Sequence, residues 1–411
     1  MTMTKLLLFL LTVTPVFGQT SSIKVTLLGT SGPSLSNDRA EAGTLVQAGA
    51  ENLLFDCGRG VPERLVQLGL GNINKVFLTH LHSDHTQGLP ILWMGGWNGR
   101  GTNALSLWGP GMDVDQPTGT TGLAAQLMTA YATNTHIRRD LVEHWQPEAI
   151  TIAAHDISEG VVYQNNGVTV TAFLVDHAPV KPAFGYRVDY AGHSIAISGD
   201  TRPSDNLVKF AKGVDLLVHE VWTGAASADI PTSTYHTTPE QAADIFKRAA
   251  PRLALYSHFA PMSGDMTART RAGGYSGPLQ TGSDLTSVDV GEKITVNACS
   301  SASTPVAAAV TNEEYKDTIS AKSILIVWGS GFSPEGGNSL RFTRTVATGP
   351  GPGGPVQAAI VLDESTGLLF WDKSSTQING ALDGKLSAGL WMMTVRNGCG
   401  VTSAALPITL R

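Results

Sequence analysis

The sequence predicts a layered α/β domain followed by a small all-β sandwich. Three observations carry this. From Ile23 to about Ala298, β-rich apolar runs alternate with helical patterns, and those runs repeatedly end in His or Asp. Around Ser300 to Glu313 the chain turns to "SSASTPVAAAVTNEE", small residues and Pro that read as a linker. After it come only short strand patterns punctuated by Gly, Asn and Asp. The expected organisation is a leader over 1–18, a first domain over 23–298, a linker over 299–312 and a second domain over 313–411.

The elements follow in order. "MTMTKLLLFLLTVTPVFGQT" has a positive Lys5, an apolar run from Leu6 to Val13, a break at Pro15 and a small-residue site at Val16-Phe17-Gly18. It reads as a secretory signal peptide, so a secreted or periplasmic location is expected. No other run is long and apolar enough to span a bilayer. "IKVTLLGTSGP" and "ENLLFDCG" read as strands, and "VPERLVQLGL" as a short helix with Pro62 near its start. "NKVFLTH" is a buried strand. "GLAAQLMTAYATNTHIRR" is a helix, and "AAHDISEG" reads as a turn. "GVTVTAFLVDHAP", "HSIAISGDT", "VDLLVHEVW" and "RLALYSHFAP" are strands with polar ends. "TPEQAADIFKRAA" is a helix capped by Thr238 with Glu240 in its first turn. The second domain offers "KSILIVWGSGF", "LRFTRT", "AAIVLDES", "GLLFWDK", "QINGAL", "GLWMMTVRNGCG" and "AALPITL", with "GPGPGGP" (Gly349 to Pro355) as a loop.

Composition narrows the function classes. Of 411 residues, 42% are hydrophobic, enough for a large core. The net charge of -6 and the lack of a basic tail argue against an electrostatic grip on nucleic acid or an anionic membrane. The three cysteines are too few for a disulfide framework; Cys57 reads as a small buried residue, and a bridge between Cys299 and Cys399 is left open.

The chemistry concentrates in "THLHSDHTQG". His80 and His82 are two apart, so an extended strand end points both to one side. Asp84 and His85 then return from the following loop. One stretch can thus ligate two metals, and imidazole with carboxylate suits zinc, and also iron or manganese. Downstream, His177 in "VDHAP", Asp200 in "SGDT" and His258 in "SHFAP" sit at strand ends. Together these residues supply seven ligands, enough for two adjacent ions sharing a carboxylate. His155 is the rival to His177, while His136, His144 and His193 match no ligand motif.

On these motifs, with "VDHAPVKPAFGYRV", "SGDTRPSDNLVKFAKGVDLLVHEVW", "YHTTPEQAADIF" and "YSHFAP", the chain resembles the metallo-β-lactamase superfamily, in its ribonuclease Z-like and arylsulfatase-like branch. The resemblance covers about Ile23 to Ala298. It implies an αββα sandwich with a site for two Zn2+ ions, or Mn2+ or Fe2+, at the sheet edges. Carried over, His80, His82 and His177 hold the first ion, Asp84, His85 and His258 the second, and Asp200 bridges them. His219 and Glu220 in "LLVHEVW", with His236, match a pair that the branch keeps beside its metals. Glu220 is expected to orient His236 and keep it protonated for the leaving group, and Asp84 joins them in the catalytic set. His219 itself reads as a buried, hydrogen-bonded residue. Two adjacent ions lower the pKa of a shared water toward about 7, so hydroxide becomes available for attack.

The resemblance breaks in one place. Ribonuclease Z carries a long clamp for transfer RNA between the third histidine motif and the bridging aspartate, whereas His177 to Asp200 here is two strands and a turn. The extra material runs from about Thr102 to Glu159, with Trp93, Trp97, Trp108 and Trp145 in or around it. It suggests a lid lined with aromatics for a small or aryl-bearing ester; the competing reading is that the tryptophans fill the core. His136 to Arg139 could meet a sulfate or phosphate, or simply be a solvated helix end. The expected function is a secreted dinuclear hydrolase of small sulfate esters or phosphodiesters, with transfer RNA not expected as a partner. The rivals are a ribonuclease Z-like endoribonuclease, a lactonase or β-lactamase, an iron oxygenase or flavin-linked member of the same fold, and an exported binding protein with an idle metal site. The second domain resembles an immunoglobulin-like module and is expected to touch a surface polymer or brace the enzyme. Homo-oligomerisation is left open.

Overall fold

The structure is a computed structural model. It describes residues 22–33, 39–97, 103–223, 234–260 and 266–297, and then 306–312, 314, 316, 319–320, 322–330, 332, 339–346, 356–362, 377–382, 386–396 and 403–411. The leader over 1–18, Cys299, Cys399, the Gly349 to Pro355 loop and the "GLLFWDK" run lie outside the described residues.

Two large mixed sheets face each other. The first contains β1 (Ile23–Gly29), β2 (Gly43–Ala48), β3 (Glu51–Phe55), β4 (Lys75–Phe77), β5 (Leu105–Pro110) and β6 (Ile152–Ile157). The second contains β7 (Gly160–Asn165), β8 (Val168–Leu174), β9 (Phe184–Tyr190), β10 (His193–Ile197), β11 (Leu216–Trp222), β12 (Leu253–Ala260) and β13 (Leu279–Thr281). The chain then returns to the first sheet with β14 (Ser287–Val290) and β15 (Ile294–Asn297), giving the orders β15-β14-β1-β2-β3-β4-β5-β6 and β13-β12-β11-β10-β9-β8-β7. Strands β3 to β6 run parallel, and so do β10 to β13; the remaining pairs are antiparallel. The C-terminal ends of the parallel strands therefore share one edge in each sheet, where α/β folds place their ligands.

The layering follows from strand periodicity. Leu53 and Phe55 of β3 join the cluster between the sheets, with Val170, Tyr186, Ile195 and Val218 from the facing sheet. Leu54 points the other way and meets Val61 and Leu65 of α1 (Val61–Gln67) and Leu92 of α3 (Leu89–Gly95), α2 being the turn at Ser83–Thr86. On the outer face of the second sheet, Leu217 and Ala254 meet Leu207 of α6 (Asp205–Phe210) and Ala242 and Phe246 of α7 (Pro239–Ala249). Three apolar clusters between four layers make an αββα sandwich. Helix α7 begins as its sequence says: Thr238 and Gln241 form a reciprocal capping box, Pro239 occupies the first turn, and the apolar residues fall on one face.

Several expectations are corrected. "AAHDISEG" is not a turn as a whole: its first part is β6, which pairs in parallel with β5, and its His155 is exposed and stacked 5.4 Å from Trp108. The run "GLAAQLMTAYATNTHIRR" is not one helix; α4 (Thr120–Ala130) and α5 (Ala132–His136) break at Tyr131, and Ile137–Val142 continues as a wider π turn. The tryptophans line no lid. Trp93 and Trp97 are buried in the outer core with Trp145 packed against them, and Trp108 stacks 4.8 Å from Phe77 at the inter-sheet core. The apolar area of Trp93, Trp97 and Trp145 is used in the layer outside the first sheet, and that of Trp108 between the sheets.

After β15 the chain enters separate, smaller sheets. Val306–Thr311, read above as part of the linker, is a strand, β16, paired antiparallel with β17 (Ile324–Ser330). Its small side chains suit the edge position that it takes in the order β16-β17-β20, with β20 at Gln377–Ala381. A four-stranded sheet runs β19 (Val356–Leu362), β18 (Ser339–Val346), β21 (Gly389–Arg396), β22 (Leu406–Leu410). Leu325, Phe342, Trp391 and Ile408 share one buried cluster. The described residues of this part are all-β, as expected. No helix among the described residues is long and apolar enough to cross a membrane.

Candidate metal centre

Strand β4 is short and has a parallel neighbour on each side, so it delivers Thr79 and His80 rigidly to the sheet edge. His82 follows in extended backbone. The single turn α2 (Ser83–Thr86), where a loop was expected, brings Asp84 and His85 back over the same edge. His177 arrives from the segment after β8, Asp200 from the end of β10 and His258 from β12. Gly199 makes Asp200's approach possible: its φ is +59° and a Cβ there would lie 2.6 Å from the Phe184 carbonyl oxygen.

All seven expected residues meet. Among the described residues, three groups have ligand atoms within 4.8 Å of one another: His80, His82 and His177; His80, His85 and Asp200; and Asp84, His85 and His258. Asp200 Oδ2 lies 3.8 Å from His80 Nε2, 3.5 Å from His85 Nε2 and 4.0 Å from His177 Nε2, and its Oδ1 lies 3.5 Å from His258 Nδ1. The carboxylate thus sits between the two outer groups. His82 alone of the seven is half-buried.

Hydrogen bonds fix the tautomers. Asp56 Oδ2 accepts from His85 Nδ1 (2.8 Å) and from the Thr79 hydroxyl (2.9 Å), and Oδ1 accepts from the Thr79 backbone N–H (2.8 Å). With its hydrogen given to Asp56, Thr79 Oγ1 accepts from His80 Nδ1 at 3.1 Å. The Tyr235 carbonyl accepts from His177 Nδ1 at 3.0 Å. In each ring the proton is drawn to Nδ1, and the Nε2 lone pair faces the centre.

These residues fit metal ions. His177 Nε2, His258 Nδ1 and Asp200 Oδ1 are buried without a hydrogen-bond partner. Ring nitrogens approach each other at 3.0 Å (His80 Nε2 and His82 Nδ1) and 3.2 Å (His85 and His258 Nε2). Zinc–nitrogen bonds of about 2.0–2.1 Å in a tetrahedron put ligand atoms roughly 3.3 Å apart. Burial, with the neighbouring His85, holds His80 well below the usual imidazole range, and burial pushes His177 down to about 4, so both are neutral donors. His85 and His258 are shifted the other way: burial opposes protonation, but the Asp200 carboxylate, aided at each by Asp84, overcomes it. Protons on those two rings stand where cations would, and metal binding must release them.

Sequence reasoning passed over Asp56, Thr79 and Tyr235. Asp56 was findable, because it ends "ENLLFD" as Asp200 ends "SIAISGD". It takes a left-handed φ of 60°, which Asp tolerates and which turns its carboxylate under the histidines. Asp56→Ala should leave His85 unoriented and weaken metal binding about 10–100-fold. Competition titration with a metal-responsive dye checks this; unchanged affinity would remove Asp56 from the site.

Glu220 and His236 also meet. Glu220 Oε1 accepts from His236 Nδ1 (3.2 Å) and from the backbone N–H groups of Thr201 (3.2 Å) and Thr237 (3.0 Å). His236 Nδ1 is 3.9 Å from Asp200 Oδ2. Burial opposes its protonation, yet the Glu220 charge and hydrogen bond raise it to about 9. Its ring is stacked against Trp222 (5.8 Å, 16°) and His258 (6.0 Å, 20°). His219 is buried and bonds the Glu220 carbonyl oxygen at 2.6 Å, as its structural reading expected. His155 is not among the converging groups. The "HIRR" basic residues are engaged locally: His136 and Arg139 pair with Asp140, and Arg138 with Glu143.

A model of the beta-lactamase superfamily domain matches residues 51–259. Among curated proteins, the ribonuclease Z of Mycobacterium bovis (strain BCG / Pasteur 1173P2) is 33% identical over 283 residues, which cover 65% of this chain and 98% of that protein. The ribonuclease Z of Mycobacterium avium (strain 104) is 34% identical over 286 residues, with the same coverage of 65% and 98%. Among solved structures, the metallo-beta-lactamase fold protein YhfI from Bacillus subtilis superposes with a TM-score of 0.53 at 20% identity, covering 65% of this chain and 99% of its own. The short form of human tRNase Z gives a TM-score of 0.50 at 24% identity, with coverage of 65% and 99%.

Proposed function

The chain belongs to the metallo-β-lactamase superfamily and is a metal-dependent hydrolase, and from that premise we propose that it cleaves small phosphodiesters and sulfate esters with two zinc ions. His80, His82 and His177 would hold one ion and Asp84, His85 and His258 the other, with Asp200 shared; manganese or iron suits the same donors. Bound there, such ions supply Lewis acidity, making water acidic enough to attack near neutral pH and offsetting charge on the ester oxygens.

The observation that carries the reading is the His236–Glu220 pair, set beside Asp200. With Nδ1 given to Glu220, Nε2 is the nitrogen that can donate to a departing oxygen. Raised to about 9, the ring is an imidazolium at neutral pH and holds the proton before the reaction starts. Trp222 and His258, stacked against it, keep the ring plane fixed. An alkoxide or phenoxide leaving phosphorus or sulfur gains most from such a donor.

A ribonuclease Z-type activity on RNA is the second reading, favoured by the mycobacterial relatives. Those two relatives are each matched over 98% of their length, in 283 and 286 residues, so the missing clamp does not by itself set this chain apart from them. Against it stands the charge distribution: Arg138, Arg139 and Arg187 are each paired with a carboxylate, and phosphate contacts are what RNA affinity draws on. An exported setting belongs to the first reading and rests on residues 1–18 alone. Contact of the C-terminal sheets with a surface polymer is part of the same proposal.

Zinc-loaded protein should be offered bis-nitrophenyl phosphate, nitrophenyl sulfate, a lactone, a β-lactam and a precursor transfer RNA at physiological salt. Turnover is expected to be fastest on the diester or the sulfate. Release of the 3′ trailer faster than both would establish the second reading instead.

A further inference from the structure

The Tyr235 side chain plays no part in the chemistry above, yet it sits between two of the groups that do. Its carbonyl bonds His177 at 3.0 Å; its ring meets the His177 ring edge-on at 4.9 Å and lies 5.1 Å from the His236 ring. It therefore packs on a proposed ligand of one ion and on the proposed proton donor at once. Unlike His177 and His236, which are buried, it is only half-buried. The other aromatic residue against His236, Trp222, is 8% exposed and stacks on the imidazole, so it braces the donor and offers a substrate little surface.

We infer that Tyr235 sets leaving-group specificity: its accessible ring and phenol form the wall against which a planar group on the departing oxygen packs. The inference rests on the hydrolase reading above. A proton passing from His236 must reach the departing oxygen, so whatever that oxygen carries lies beside His236, where the Tyr235 ring stands. An aromatic group there gains an offset or edge-on ring contact in addition to buried area, and a small alkyl group gains neither. The site then prefers aryl over alkyl esters.

Tyr235→Leu tests this cleanly, because the bond to His177 runs through the main chain and survives the substitution. The zinc-loaded full chain is titrated calorimetrically with phenylphosphonate and with methylphosphonate. Wild type is expected to prefer the phenyl compound roughly three- to tenfold, the worth of one aromatic contact, and Tyr235→Leu to lose most of that preference. Tyr235→Phe, which keeps the ring, should retain it. With bis-nitrophenyl phosphate, Tyr235→Leu should raise KM several-fold while kcat and metal content hold. An unchanged phenyl preference in Tyr235→Leu overturns the inference, and so does loss of metal, which would make Tyr235 a support for His177. If wild type hydrolyses neither diester nor sulfate ester, the substrate reading fails, while the phosphonate comparison still decides the role of Tyr235.

Discussion

Asp200→Ala is expected to lose both bound ions and to reduce hydrolysis to the uncatalysed background. Its carboxylate is 3% exposed and lies within 4.0 Å of ring nitrogens of His80, His85, His177, His236 and His258. Among the described residues, no other acidic residue reaches both outer ligand groups. Removing it takes away the proposed shared ligand and the main negative charge that cations, or protons on His85 and His258, would balance. Those two rings then lose the largest of the charges that favour their protonation, and only Asp84, with Asp56 at His85, still opposes the cost of burial. Asp200→Asn keeps the shape and removes the charge, so it separates electrostatics from packing. Metal content by mass spectrometry, melting temperature and turnover are the measurements. A folded variant that keeps two ions per chain, or keeps full activity, would falsify the shared-ligand assignment.

His236→Ala should cut turnover roughly 10²–10⁴-fold, the usual worth of a general acid, with metal content intact. The loss should shrink for nitrophenyl esters, whose leaving groups need little protonation. The pH dependence has a definite sign. The folded-state value of His236 is raised to about 9, so the donor form is fully present at neutral pH and is lost as pH rises through that value. Nearby cations disfavour a charged ring, so in the loaded enzyme the alkaline limb should fall at or below about 9. That limb should vanish in His236→Ala. An equal loss across leaving groups, with the limb still present, would mean that His236 only supports the ligands.

Much of the site was legible in the sequence, and the reason is local. His80, His82, Asp84 and His85 belong to one strand end and the turn after it, so their spacing alone states that they face a common point. Asp200 and His258 could be found because parallel strands of one layered fold must end on one edge, and His177 because β8, two antiparallel steps from β10, runs in the same direction. Thr238 announced its helix, because a cap and its partner are three residues apart. Only the tertiary structure decided the rest. The partnership of Asp56 with His85 joins the end of one strand to the turn after another, and the bond from His177 to Tyr235 crosses 58 residues. Whether Trp93 and Trp97 lined a lid or a core depended on which helices cover the first sheet, and the structure put them in the core. Local spacing is written in the order of residues, whereas burial, ring tautomer and the facing of two sheets depend on contacts between residues far apart in the chain, which no window of sequence contains.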